Sequence, residues 1–156
     1  MSPQAVSSLV REEVPLLRAD EPVGEGVQRI LDSGFAALPV VDADDRLVGI
    51  FGEREFIGAI FPGYLKELSY AGFVPKSLDR VLEKRAACRF EAVSKWMNAE
   101  HVDVSEDFSD AQVAETFLHH RVLLLPVIDG EKRVVGVITR GAFFRALVER
   151  FLAVEP

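Results

Sequence analysis

The chain has 156 residues, 49% of them hydrophobic, which is enough apolar material for one packed domain or two small units sharing a core. Its net charge of −7 argues against a general nucleic-acid binder, because phosphate contact draws on clustered Lys and Arg, yet it leaves room for a small anionic ligand held by a few local donors. The single cysteine, Cys88, excludes an internal disulfide framework and fits a reducing compartment, as a small packing residue or a free thiol. The opening MSPQAVSSLVREEV lacks the basic-then-apolar pattern of a signal peptide, and no apolar run nears the ~18–20 residues of a membrane span. The expectation is therefore a cytoplasmic protein that does not associate with membranes.

A lead-in helix over VSSLV is followed by a short extended piece, VPLLRA. A helix comes next over GVQRILDSGF, with Asp20 as the expected cap, Pro22 in the first turn, and apolar Val27, Ile30 and Leu31 at helical spacing. ALPVV and LVGIF read as strands joined by a hairpin at ADDR, and EREFIGAIF as a closing helix. Residues 61 to about 92 form a connector. It opens on a Pro-Gly turn, breaks again near GFVP, and continues from Ser77 as a helix through SLDRVLEKRAACRFEAVSKWM, bent or split in two, with Leu78, Val81 and Leu82 on one buried face. Its aromatic set, Phe61, Tyr64, Tyr70 and Phe73, either covers an edge of this protein or forms a dimer or partner surface. VSKWM matches VSSLV as a lead-in, which makes Trp96 a packing residue rather than a platform for ligand stacking.

The remainder repeats the first part. HVDVSE is extended, DAQVAETFLHHR is a helix capped by Ser109, LLPVI and VVGVI are strands around the turn GEKR, and RGAFFRALVERFL is the last helix. Pro39 pairs with Pro126 at an offset of 87, and the same offset pairs Asp42 with Asp129, Arg46 with Arg133, Gly49 with Gly136 and Phe56 with Phe143. About a dozen identities fall in some 50 residues without a gap, which is far more specific than a short motif. Each β-α-β-β-α unit is too small to cover its own sheet. Two packed about a pseudo-twofold axis cover each other, giving an α/β (α+β) fold. The partition expected is residues 1–61 for repeat one with its lead-in helix, 62–90 for the insert, and 91–156 for repeat two with its lead-in helix. His119, His120 and Arg121 close a helix, where cations complement the dipole; adjacent histidines point apart and make a poor metal site. No catalytic constellation is visible.

LPVVDADDRLVGIF and LPVIDGEKRVVGVIT resemble the core of the CBS domain, and two in tandem resemble a Bateman module. The resemblance implies a disk with two clefts between the repeats. Such clefts bind adenosine-containing ligands (AMP, ADP, ATP or S-adenosylmethionine) and regulate a partner protein or an attached domain. With no attached enzyme or transporter in the sequence, it implies a stand-alone, non-enzymatic member that needs no cofactor and forms a homodimer. The alternative is a structural dimerisation or partner-docking module with degenerate, ligand-free clefts.

The family tail after the second strand runs Gly–apolar–apolar–Thr/Ser–x–x–Asp, the acid taking the ribose hydroxyls and the hydroxyl meeting phosphate. Repeat one has Gly52 at the Thr position and Glu55 at the acid; repeat two keeps Thr139 and has Ala142 in place of the acid. Glu55 is thus a ribose acceptor or a first-turn helix glutamate, and Thr139 a phosphate contact or an N-cap. Arg54 and Arg140 beside the tails are candidate anion contacts or surface arginines. Where some relatives carry basic phosphate clamps, this chain has Ala36, Ala37, Leu123 and Leu124, all apolar. Pro15, Val102, Pro39 and Pro126 stand at the positions that wall the adenine, or serve as core and turn residues.

Overall fold

The computed structural model describes residues 5–62 and 77–156. Tyr64, Tyr70, Phe73 and the break near GFVP lie outside these residues.

Each repeat builds a three-stranded sheet. In the first, β1 (Leu17–Arg18) runs parallel to β2 (Ala37–Val41), which is antiparallel to β3 (Leu47–Gly52). Helix α1 (Val23–Ser33) makes the crossover from β1 to β2, and α2 (Glu53–Ile60) follows β3 directly. After the insert, β4 (Val104–Ser105), β5 (Leu124–Ile128) and β6 (Val134–Thr139) repeat the order, with α5 (Asp110–His119) in the crossover and α6 (Arg140–Ala153) last. The registers match at the offset of the sequence repeat: Leu17 faces Val40 as Val104 faces Val127, and Leu38 faces Phe51 as Leu125 faces Ile138.

Both hairpins close by the same chemistry. Asp42 Oδ1 accepts from the amides of Asp44 (2.8 Å) and Arg46 (3.0 Å), and Asp129 Oδ1 from those of Glu131 (2.8 Å) and Arg133 (3.0 Å). These amides hold both carboxyls below the ordinary aspartate range, the bond from Arg46 being the largest cause for Asp42 and that from Arg133 for Asp129. Asp45 and Lys132 take the left-handed conformation at matching places, with φ of 62° and 65°.

A proline in the middle strand of a sheet costs a ladder bond unless its nitrogen faces away from the partner. That condition is met here by the register, and the outward-facing groups of the residues opposite the prolines are satisfied by exchange between the repeats. Ile50, opposite Pro39, directs its amide and carbonyl outward to Asn98, at 3.0 and 2.8 Å. Val137, opposite Pro126, does the same with Arg11, at 3.0 and 2.8 Å. The segment leading into each repeat thus covers the open edge of the other repeat's sheet, which removes an unpaired strand edge.

The short lead-in helices exchange in the same way. Val6, from the 3₁₀ turn Ala5–Leu9, is buried in the second repeat's core with Leu125, Val127 and Ile138. Val93, from α4 (Val93–Trp96), is buried in the first repeat's core with Leu17, Leu38 and Phe51. Val6 and Val93 are themselves one offset of 87 apart, so a near-dyad relates the two halves. The seam also carries a bond from the Leu47 amide to the Lys132 carbonyl at 2.9 Å.

Two local expectations are corrected, the cap of α1 and the buried face of the helix from Ser77, which is split in two as expected. Asp20 does not cap α1: Pro22 is the N-cap residue, and the Val23 amide donates instead to the Glu91 carbonyl at 2.9 Å, because the start of α1 docks on the chain entering α4. The helix from Ser77 is α3 (Leu78–Arg85), which tightens into a 3₁₀ turn, Ala86–Phe90. It then breaks, since Ala92 must extend to bridge Pro22. Leu78 (61% exposed) and Leu82 (40%) are not on its buried face; Val81 is, packed with Ile60 and Cys88. Ser109 does cap α5, its Oγ accepting from the Gln112 amide at 3.2 Å while Gln112 Oε1 accepts from the Ser109 amide at 2.8 Å.

Candidate functional site

The seam between the repeats opens into a cleft of about 130 Å3. One wall is the pair Ala36 and Ala37 entering β2 together with Ile50 of β3; the opposite wall is Val122, Leu123 and Leu124 entering β5. The first turn of α2 supplies Glu53, Arg54 and Glu55 at one end, and Asn98, His101 and Val102, between α4 and β4, close another side. Arg121 stands at the rim, just past the end of α5.

Gly52 sets this geometry. A Cβ there would lie 2.5 Å from the Ala36 carbonyl oxygen and 2.7 Å from Ala37 Cα, so only a glycine lets β3 pass this close to β2 before turning into α2. The Glu53 amide then donates to Ala36 O at 3.0 Å, which ties the start of α2 to the cleft wall. Glu55 reaches back to accept from the Gly52 amide at 2.9 Å through Oε1. It is a helix-capping glutamate and a cleft residue at once. Burial raises its carboxyl above the ordinary glutamate range; the bonds to backbone amides and the charge of Arg54 oppose that shift.

Of the residues singled out in the sequence, Ala36, Ala37, Arg54, Glu55, Val102, Leu123 and Leu124 come together around this cleft. Gly52 is buried directly behind it. Pro39 and Pro126 are buried strand residues away from the cleft lining, and Pro15 is exposed. Thr139 caps α6, its Oγ1 accepting from the Ala142 amide at 3.2 Å. Arg140 is exposed, and its amide donates to Leu123 O at 3.0 Å, the counterpart of the Glu53–Ala36 bond. Trp96 packs on the first repeat's core with Arg85 and Lys95 against its ring, each 5.5 Å from the centroid, and does not line the cleft.

Asn98, His101 and Arg121 were not among the expected site residues. Arg121 reads in sequence as a helix-end cation, and its place at the rim follows from the turn between α5 and β5. The imidazole of His101 is fixed by Asp103, Nε2 to Oδ2 at 3.1 Å, and its buried Nδ1 has no hydrogen-bond partner among the described residues. Among the described residues there is no group of three or more His, Cys, Asp or Glu able to hold a metal, and no helix long and apolar enough to cross a membrane.

The CBS domain family profile matches residues 6–62 and again residues 93–149. The chain belongs to the CBS-domain family. As a CBS pair, it is 27% identical to a CBS domain-containing protein of Dictyostelium discoideum over 152 residues, covering 97% of this chain and 96% of that one. It is also 27% identical to an inosine-5'-monophosphate dehydrogenase of Methanocaldococcus jannaschii over 131 residues, spanning 84% of this chain but 21% of the dehydrogenase. Among solved structures, the pair superposes on CBSX2 in complex with AMP with a TM-score of 0.68 at 19% identity, covering 94% of this chain and 97% of that one. That likeness shows the tandem CBS fold.

Proposed function

We propose that this CBS pair is a stand-alone, non-enzymatic sensor that binds an adenosine-containing ligand (AMP, ADP, ATP or S-adenosylmethionine) in the cleft of α2. The observation that carries the reading is Glu55. Its carboxylate lines the cleft at the position of the family's acid and is anchored through Oε1 on the Gly52 amide, which supports it as an acceptor for ribose hydroxyls. Arg54 and Arg121 flank the cleft, and among the described residues neither is engaged in an ion pair, so both are available to an anionic group. The small apolar walls at Ala36, Ala37, Ile50 and Val102 suit a flat base. Apolar residues at 36, 37, 123 and 124 supply no basic clamps, which favours a ligand with few phosphates. The AMP complex of CBSX2 supports the ligand class.

Ligand binding shifts the angle between repeats only by its differential affinity for the two states. The readout in this proposal passes to a second copy or to a partner protein. The exposed apolar side chains of α6, Phe144, Phe151 and Leu152, support a homodimer or a docked partner. The same face favours the second reading, a dimerisation or docking module that works without a ligand. The proposed setting is the cytoplasm, with no required cofactor and no nucleic-acid role.

Calorimetry of the protein and its Glu55→Ala variant against the four ligands decides between the readings. The sensor predicts micromolar or tighter binding of at least one ligand, lost in the variant. No binding by the unaltered protein leaves the docking module.

A further inference from the structure

The near-dyad generates a second cleft from the same walls, and the residues that differ there follow from the offset of 87. Ala142 stands for Glu55, Gly141 for Arg54, Gly34 for Arg121, Arg11 for Asn98, Val14 for His101 and Phe35 for Val122. Loss of the acid alone would leave a cleft without a ribose acceptor. The structure shows more. Phe35 is 8% exposed and belongs to one buried cluster with Leu124 and Val137, residues of the second repeat whose counterparts Ala37 and Ile50 line the open cleft. The Arg11 guanidinium lies over the Phe35 ring, 4.8 Å from its centroid, and Arg11 is fixed by both backbone bonds to Val137. An aromatic ring with a cation on its face therefore crosses the seam where the other cleft has only the smaller Val122.

We propose that the second cleft is closed by the chain's own Phe35, clamped by Arg11, so that each chain takes a single ligand and the two clefts are asymmetric by construction. Phe35 occupies the volume a base would need. The anion side of that cleft is depleted as well, with Gly141 for Arg54 and Gly34 for Arg121, although Thr139 caps α6 and Arg140 stands beside it. Closure acts in addition to that loss of polar contacts, and removing the ring should open a latent apolar site.

The stoichiometry test rests on the reading that the first cleft takes AMP. AMP is titrated by calorimetry into the unaltered protein, into Gly141→Arg with Ala142→Asp, which restores the tail residues of the first cleft, and into that variant with Phe35→Val, the residue of the open side. Closure predicts one AMP per chain for the first two and two for the triple variant. Two sites in the unaltered protein or in the tail variant alone, or one site in the triple variant, overturns it. A second arm does not depend on nucleotide. In Phe35→Ala, indole should shift the methyl NMR signals of Leu124 and Val137, as it should not in the unaltered protein. Absence of those shifts in the variant also overturns closure. If the unaltered protein takes no AMP at all, the sensor reading falls and the indole arm alone decides closure.

Discussion

Gly49 and Gly136 test the exchange of lead-in segments, because each lies under the segment that crosses from the other repeat. A Cβ at Gly136 would stand 2.6 Å from Val10 Cγ1, 2.8 Å from the Arg11 carbonyl oxygen and 3.2 Å from the Arg11 carbonyl carbon. Val10 is β-branched and stiff, and Arg11 is held by two backbone bonds to Val137, so neither can yield without shifting the lead-in. A Cβ at Gly49 would meet Met97 Sδ at 2.6 Å and Cγ at 2.9 Å, with the Asn98 carbonyl oxygen at 3.1 Å. Met97 can swing aside, and the backbone must then give by only a few tenths of an ångström. Gly136→Ala should cost about 2–3 kcal/mol and Gly49→Ala about 1 kcal/mol, the upper and lower parts of the overpacking range. Urea unfolding with a shared m value measures both. Equal costs, a larger cost at Gly49, or no cost at either site would refute the exchange as drawn.

Glu55 gives a pH prediction with a definite sign. Its folded carboxyl lies above the ordinary glutamate range because of burial, so its contribution to stability is fully present at acid pH and is lost as pH rises through the raised value. Glu55→Gln should match the unaltered protein at acid pH and exceed it in stability at neutral pH, by urea unfolding across that interval. Asp42 and Asp129 have the opposite sign, since their amide bonds lower both carboxyls. Their stabilisation is present above the ordinary aspartate range and lost as pH falls through the lowered values, and the double Asn variant should show a flatter acid limb. Ser109→Ala removes the cap of α5 and should cost about 1 kcal/mol in thermal or urea unfolding. Asp20→Ala, at a residue that does not cap α1, should stay within about 0.5 kcal/mol.

The two copies of the strand–turn–strand unit were legible residue by residue. Alternation of Leu-Pro-Val with a charged turn leaves little freedom, and ALPVV and LLPVI became β2 and β5 with those bounds. The helix after Ser77 was legible as bent or split, but not the place of its break, because helical propensity in RVLEKRAACRF says nothing of the tertiary demand that residues 91 and 92 be extended against Pro22 and Val23. Nor does a repeat reveal whether a lead-in packs on its own unit or on the other; Val6 and Val93 read identically either way. For the cleft, the tail residues Arg54 and Glu55 and the wall residues Ala36, Ala37, Leu123 and Leu124 could be found from the resemblance to the CBS domain. His101 and Arg121 required the turn geometry of the second repeat. The Phe35–Val122 difference in volume was visible in the alignment, but its consequence depends on which side of the seam the ring enters.

The account depends most on the cleft at α2 being where a nucleotide binds. A crystal structure of the full chain grown with AMP tests this directly. The predicted result is ligand density between Ala37 and Leu124, with the ribose on Glu55 and the phosphate toward Arg54 or Arg121. Density at any other place, or a seam that stays free of AMP at saturating concentration, would contradict it.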